Sequence, residues 1–177
     1  RNFHLGADEA WLLGDCPRCR AAVAARGKLD LYLRHVNQAA ARVRAHGARP
    51  IIWDDMIQRN LESNSLAALS EDIVLCDWFY SQRSPRAASF YYGGSEGHTR
   101  YVWASRRWLE RDPGALMGEV RWLEDAPANV QAFAREYWDR GEYPDYGSSL
   151  PWARFFVRQG RAVIGASCAK GAEGFSA

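Results

Sequence analysis

Four short apolar runs, at residues 2–6, 50–53, 72–80 and 161–167, each stop at polar residues and are separated by stretches of helical periodicity. This alternation constrains the fold more than any other feature of the chain. Strand-length runs flanked by helical sequence predict βα units, and βα units in series predict a parallel sheet. The run "PIIW" at 50–53 shows no apolar–polar alternation, as expected of a strand covered on both faces. After the first run, Pro17 suits the opening turn of a helix reaching Arg26. Leu29, Leu33, Val36, Ala40 and Val43 then recur at three- and four-residue steps and predict a second, longer helix. Gly47 can close it in a left-handed conformation, and Pro50 prevents its resumption. Ser65–Leu69 is a further short helical stretch, and a helix over 151–159 leads through Gly160 into the last strand.

Residues 81–150 are far more than a minimal βα connection needs. They are expected to form an insertion between the third and fourth strands, at the ligand end of the sheet. Turn chemistry at "YYGGSEG" (91–97) opens it, and helical patterns follow near 104–111, 115–124 and 127–140. Its Tyr91, Tyr92, Trp103, Tyr143 and Tyr146 are available either to roof a pocket or to fix the insertion to the body. The whole is expected to be one α/β domain over 1–177.

The net charge of +2, with basic residues scattered, gives no electrostatic case for nucleic acid. No apolar run approaches a membrane span, and nothing resembles a signal peptide. Four cysteines are too few and too dispersed for a disulfide framework, so a reducing cytoplasm is expected. The first run begins mid-strand and the last is followed by small residues, so both ends read as cuts through a larger protein.

The first run ends in "FHLGADEA" (3–10), with two adjacent carboxylates. Neighbouring side chains on a strand point to opposite faces, so Asp8 and Glu9 can serve one site only where the backbone turns. Gly6 and Ala7 leave room for that turn. Acidic residues at the C-terminal end of a strand are a common way to build a site on a parallel α/β scaffold.

The hexapeptide His4-Leu5-Gly6-Ala7-Asp8-Glu9, followed by "WDDM" at 53–56, resembles the catalytic barrel of glycoside hydrolase family 20, the β-N-acetylhexosaminidases. "GKLDLYLRHV" (27–36), "CDWFY" (76–80) and "GASCAKGA" (165–172) point to its hexosaminidase D-like branch. The resemblance implies a partial TIM (β/α)8 barrel holding about strands 4 to 7, whose missing strands belong to a longer chain. It implies removal of terminal β-linked N-acetylhexosamine from an amino-sugar glycoside, with retention and without metal or cofactor. The substrate's 2-acetamido oxygen would attack the anomeric carbon and give an oxazolinium intermediate. Glu9 would be the general acid and later base, and Asp8 would hold the acetamido N–H. His4 would brace the pair, Trp53 and Trp78 would wall the sugar subsite, and Asp54 would bond either a sugar hydroxyl or the neighbours of Asp8. Many members place a tyrosine after the seventh strand for the acetamido oxygen. Here that stretch is Ser167-Cys168-Ala169-Lys170, and Tyr80 is the available substitute.

Two other readings use the same residues. A metal-dependent hydrolase would gather His4, Asp8, Glu9 and Asp54. A non-catalytic carbohydrate-binding barrel fragment would keep Trp53 and Trp78 and bind without turnover. Separately, Cys16-Pro17-Arg18-Cys19 is a single CxxC. A structural zinc site needs two more ligands; Cys76 and Cys168 stand alone, and His35 and His46 share only a helix face.

Overall fold

The structure of the chain, a computed structural model, describes residues 1–10, 12–58, 60, 65–77, 89–90, 95–96, 99–107, 119–138 and 151–166. Strand β1 is Asn2–His4, β2 is Arg49–Trp53 and β3 is Val74–Asp77. The last strand, β8 (Val163–Gly165), pairs with β3. All three pairings are parallel, in the order β1-β2-β3-β8. The alternating pattern of the sequence therefore yields the expected α/β architecture with a parallel sheet.

Pro17–Ala45 forms helix α1, with Pro17 in its first turn. It is broken at Gly27, whose φ of 84° and ψ of 160° are not helical, so the two predicted helices meet at a bend. Tyr32, Leu33, Val36 and Ala40 are its buried stripe. Gly47 follows at φ 71°, the left-handed closure expected of it. Helix α2 (Asp55–Gln58) starts directly after β2, and α3 (Ser65–Ala68) precedes β3. Asn37 on α1 donates to the Ala68 carbonyl and accepts the Ser70 N–H, and Arg44 grips Asp72 with two bonds of 2.9 Å. The buried Arg161 guanidinium, just before β8, donates to the carbonyls of Ser70, Leu66 and Leu69.

Strand residues alternate between two apolar clusters. Ile52 and Leu75 join the main core, formed with α1, Met56 and Ile57 of α2, Leu69 and Ile73. Ile51, Val74 and Cys76 point the other way and pack with Trp53, Ala162 and Ala166. Two-sided burial of "PIIW" is thus what the structure has.

The predicted helical insertion is corrected in part. β4 (Ser89–Phe90), β5 (Ser95–Glu96), β6 (Thr99–Ala104) and β7 (Glu119–Trp122) form a second, mixed sheet. The expected helix near 115–124 gives way at 119–122 to β7, and β6 ends at Ala104, where the helix near 104–111 was expected to begin; the two strands pair in parallel from Tyr101↔Glu119 to Ala104↔Trp122. "TRYVWA" and "EVRW" are rich in β-branched and aromatic residues, and a partner strand decides such segments. Arg106 and Arg107 take helical geometry, and 108–111 lie outside the described residues. The third expected helix is present as α4 (Ala128–Phe133), continued by a π-helical turn to Trp138. Helix α5 (Pro151–Arg158) then leads to β8. Trp103 is buried in the main core, so it fixes the insertion to the body rather than roofing a pocket. Tyr91, Tyr92, Tyr143 and Tyr146 lie outside the described residues.

Candidate functional site

The C-terminal end of β1 is built by its neighbours. Pairing with β2 runs past the strand, through the Leu5 N–H to the Ile51 carbonyl (2.8 Å) and the Trp53 N–H to the Gly6 carbonyl (3.0 Å). The backbone then turns sharply: φ is 74° at Gly6, 69° at Ala7 and 46° at Glu9. Left-handed geometry at two non-glycine residues costs energy and persists only where surroundings fix it. Two contacts do so. The Tyr32 hydroxyl on α1 donates to the Ala7 carbonyl at 2.8 Å, and Asp55 Oδ2 accepts the Glu9 N–H at 3.1 Å. The turn predicted after Gly6 is therefore present, and it leaves Asp8 and Glu9 both exposed.

His4 Nδ1 accepts the Gly6 N–H at 3.0 Å, and its ring lies against Trp53, centroids 4.7 Å apart and planes at 53°. Trp53 is half-buried. Residues His4, Asp8, Glu9 and Trp53 thus belong to the ends of two adjacent strands. Trp78 and Tyr80 lie outside the described residues.

Behind this rim is a buried acidic group. Asp54, Asp55 and Asp77 are 0%, 3% and 3% exposed, so they form a separate interior layer. Asp54 caps α2 with its carbonyl, which accepts the N–H groups of Ile57 and Gln58. Its Oδ2 accepts from Gln58 Nε2 at 2.7 Å, and its Oδ1 has no hydrogen-bond partner. Burial, then the Asp77 and Asp55 charges, hold the Asp54 carboxyl well above the usual carboxylate range. Of the two partners the sequence offered Asp54, a sugar hydroxyl or the neighbours of Asp8, the first is not within its reach here, because α2 begins at once and turns the carboxyl inward, closed off from solvent. Asp77 Oδ2 accepts the Ala153 N–H at 3.2 Å, in the first turn of α5, where a carboxylate meets unsatisfied N–H groups.

Burial, followed by the charges of Asp55, Asp8 and Asp54, pushes the Tyr32 phenol far up, so it stays a hydrogen-bond donor. Burial and the Asp54 and Asp77 carboxylates likewise push the Cys76 thiol up, which leaves it a poor nucleophile. Under the turn lies a cavity of about 340 Å³ lined by Leu5, Ala7, Ala10, Leu13, Tyr32 and Val36 among others. It is apolar and faces α1, and neither Asp8 nor Glu9 lines it.

Sequence reasoning missed Asp55 and Tyr32. Asp55 was visible as the second acid of "WDDM", but only the start of α2 decides which of the two faces Glu9. Tyr32 sits on the same helical stripe as Leu29, Leu33 and Val36 and reads as ordinary core. Among the described residues no three His, Cys, Asp or Glu side chains gather as a metal-ligand set, which removes support from a metal site on His4, Asp8, Glu9 and Asp54. No described helix is long and apolar enough to cross a membrane.

No family model and no curated protein matches the chain. Among solved structures it is similar to a β-N-acetylhexosaminidase from Bacteroides fragilis NCTC 9343, at 16% identity and a TM-score of 0.35. The likeness covers 96% of this chain and 43% of that one, so the chain spans less than half the length of the protein it matches.

Proposed function

We propose that the chain is part of the catalytic region of a glycoside hydrolase, with its site at the C-terminal ends of β1 and β2. More particularly, we read it as a family 20 β-N-acetylhexosaminidase, a section of a (β/α)8 barrel completed by further strands. The observation that carries this reading is the fixed left-handed turn after β1. It exposes two consecutive carboxylates at the end of β1, and the neighbouring strand β2 ends in a half-buried indole.

A conventional retaining glycosidase sets its two carboxyl groups about 5–5.5 Å apart on either side of the bond. Two consecutive acids on one turn suit a different division of labour. The sugar's own acetamido oxygen attacks, so the protein needs an acid for the leaving group and a carboxylate for the acetamido group. Glu9 is the acid, then the base that activates water, and Asp8 holds the acetamido N–H and balances the positive charge that grows there. Trp53 offers the apolar sugar face a flat surface, and His4 supports that ring. Asp55 fixes the Glu9 backbone from behind.

The test is hydrolysis of paired aryl β-glycosides, 2-acetamido against 2-hydroxy, by the complete protein. A strong preference for the acetamido sugar is expected; equal rates would overturn the mechanism. Glu9→Gln should cost about 10²–10⁴-fold on substrates with poor leaving groups and much less on activated aryl glycosides. Binding of N-acetylhexosamines without turnover would instead identify a carbohydrate-binding fragment.

A further inference from the structure

The motif Cys16-Pro17-Arg18-Cys19 has no part in the glycosidase reading, yet the structure gives its two thiols different surroundings. Cys16 is the N-cap of α1, with φ −74° and ψ 150°, and is exposed; Cys19, one turn on, is half-buried. Cys16 Sγ accepts the Cys19 N–H at 3.3 Å. No acidic residue stands in the first turn of the helix. The Arg20 guanidinium folds back over the helix start, donating to the Asp15 carbonyl at 3.0 Å.

Each of these features favours negative charge on one sulfur. The hydrogen bonds from the Cys19 side chain and backbone come first, and Arg20 adds a smaller attraction, so the Cys16 thiol is held below the ordinary cysteine value. The Cys19 thiol, donating to Cys16, is pushed the other way. An exposed, thiolate-prone sulfur with a second thiol one turn along has the form of an attacking and resolving pair. Two residues three apart on a helical turn also lie within the about 7 Å Cα separation that a disulfide spans. Two residues before Cys16, Gly14 at φ 98° packs so closely on Val23 that a Cβ would stand 2.7 Å from a methyl carbon.

We propose that Cys16 and Cys19 are a redox-active dithiol that closes to an intramolecular disulfide by exchange with a low-molecular-weight disulfide such as oxidised glutathione. The Cys16 thiolate attacks one sulfur of the small disulfide, forming a mixed disulfide and expelling one thiolate. Cys19 then loses its proton and attacks the Cys16 sulfur, forming the internal S–S bond and releasing the second small thiol. Two electrons leave the protein and reduce the small disulfide to two thiols. The site stands independently of the sugar chemistry.

The experiment equilibrates the protein with graded ratios of reduced and oxidised glutathione, quenches by alkylation and maps the peptides by mass spectrometry. Expected is a linked Cys16–Cys19 peptide that rises with the oxidised fraction and disappears with reductant, while Cys76 is alkylated only after unfolding. Cys19→Ser should accumulate glutathione on Cys16. Cys16→Ser, which keeps a capping oxygen, should leave Cys19 at least about tenfold slower to react than Cys16 is in the parent. Absence of the linked peptide at every ratio would overturn the proposal. So would Cys19 in Cys16→Ser reacting as fast as Cys16 does, or protection of both thiols by stoichiometric zinc with no linked peptide.

Discussion

Asp55 and Asp54 are neighbours in sequence and opposites in duty. Asp55 reaches across 46 residues to the Glu9 N–H, so it governs where the candidate acid points. Asp55→Ala removes the acceptor, whereas Asp55→Asn keeps a carbonyl oxygen in place. In the complete protein the alanine variant should lose about 10²-fold in kcat with KM little changed, because a small misplacement of a reacting group is that costly. The asparagine variant should recover most of it, as steady-state kinetics on a 2-acetamido glycoside would register. Asp54 answers to pH instead. Its folded pKa lies above the ordinary 3.8, so the native state holds this proton more tightly than the unfolded chain does. Stability therefore falls as pH rises from the unfolded value through the folded one. Asp54→Asn carries no such proton. Thermal melts should find the variant gaining on the parent steadily as pH is raised above about 4; a constant gap would mean that Asp54 is ionised in the fold.

Among the elements, α1 carries the most consequence, because its two segments serve different ends of the structure. The first turn holds the dithiol, and the second segment supplies Tyr32 to the loop after β1. Gly27 joins them in a backbone region that is essentially glycine-only. Asp30 bridges the bend, accepting from Arg26 at 3.0 Å and Arg34 at 2.9 Å, but pairs this exposed contribute little. A Cβ at Gly27 would meet nothing within 4 Å, so Gly27→Ala isolates the conformational cost. It should destabilise the protein by about 1–3 kcal/mol, read as a lower urea midpoint at unchanged slope. A neutral result would mean that the two segments can straighten into one helix.

Over the whole molecule, the two faces of the parallel sheet are unequally supplied with apolar partners. On one face the strands, α1, α2, α4, α5 and Trp103 share a single core. Its far side is aromatic: Phe133 lies 4.7 Å from Trp152 and 5.2 Å from Tyr137 between ring centroids. On the other face Ile51, Val74 and Cys76 have a smaller set of neighbours, and Ile164 is 42% exposed. Phe156 and Val157, adjacent on α5, separate the consequences. Phe156 is fully buried and Val157 is 59% exposed. Phe156→Ala should cost about 3–5 kcal/mol, whereas Val157→Ala should stay within about 0.5 kcal/mol, as denaturant unfolding would measure.

The parallel sheet, the bend between two helices, the closure at Gly47 and the turn after Gly6 were all legible in the sequence. Each rests on local chemistry: apolar run length, helical spacing, or a residue able to take a left-handed φ. Tertiary structure decided the rest. β6 and β7 are strands because they pair across a gap of many residues, a gain that no local window contains. Asp55 rather than Asp54 meets the Glu9 N–H because helix α2 starts where it does, although both carboxyls are buried. The sequence by itself determined which residue types stand at the strand ends; long-range packing decided which of them meet.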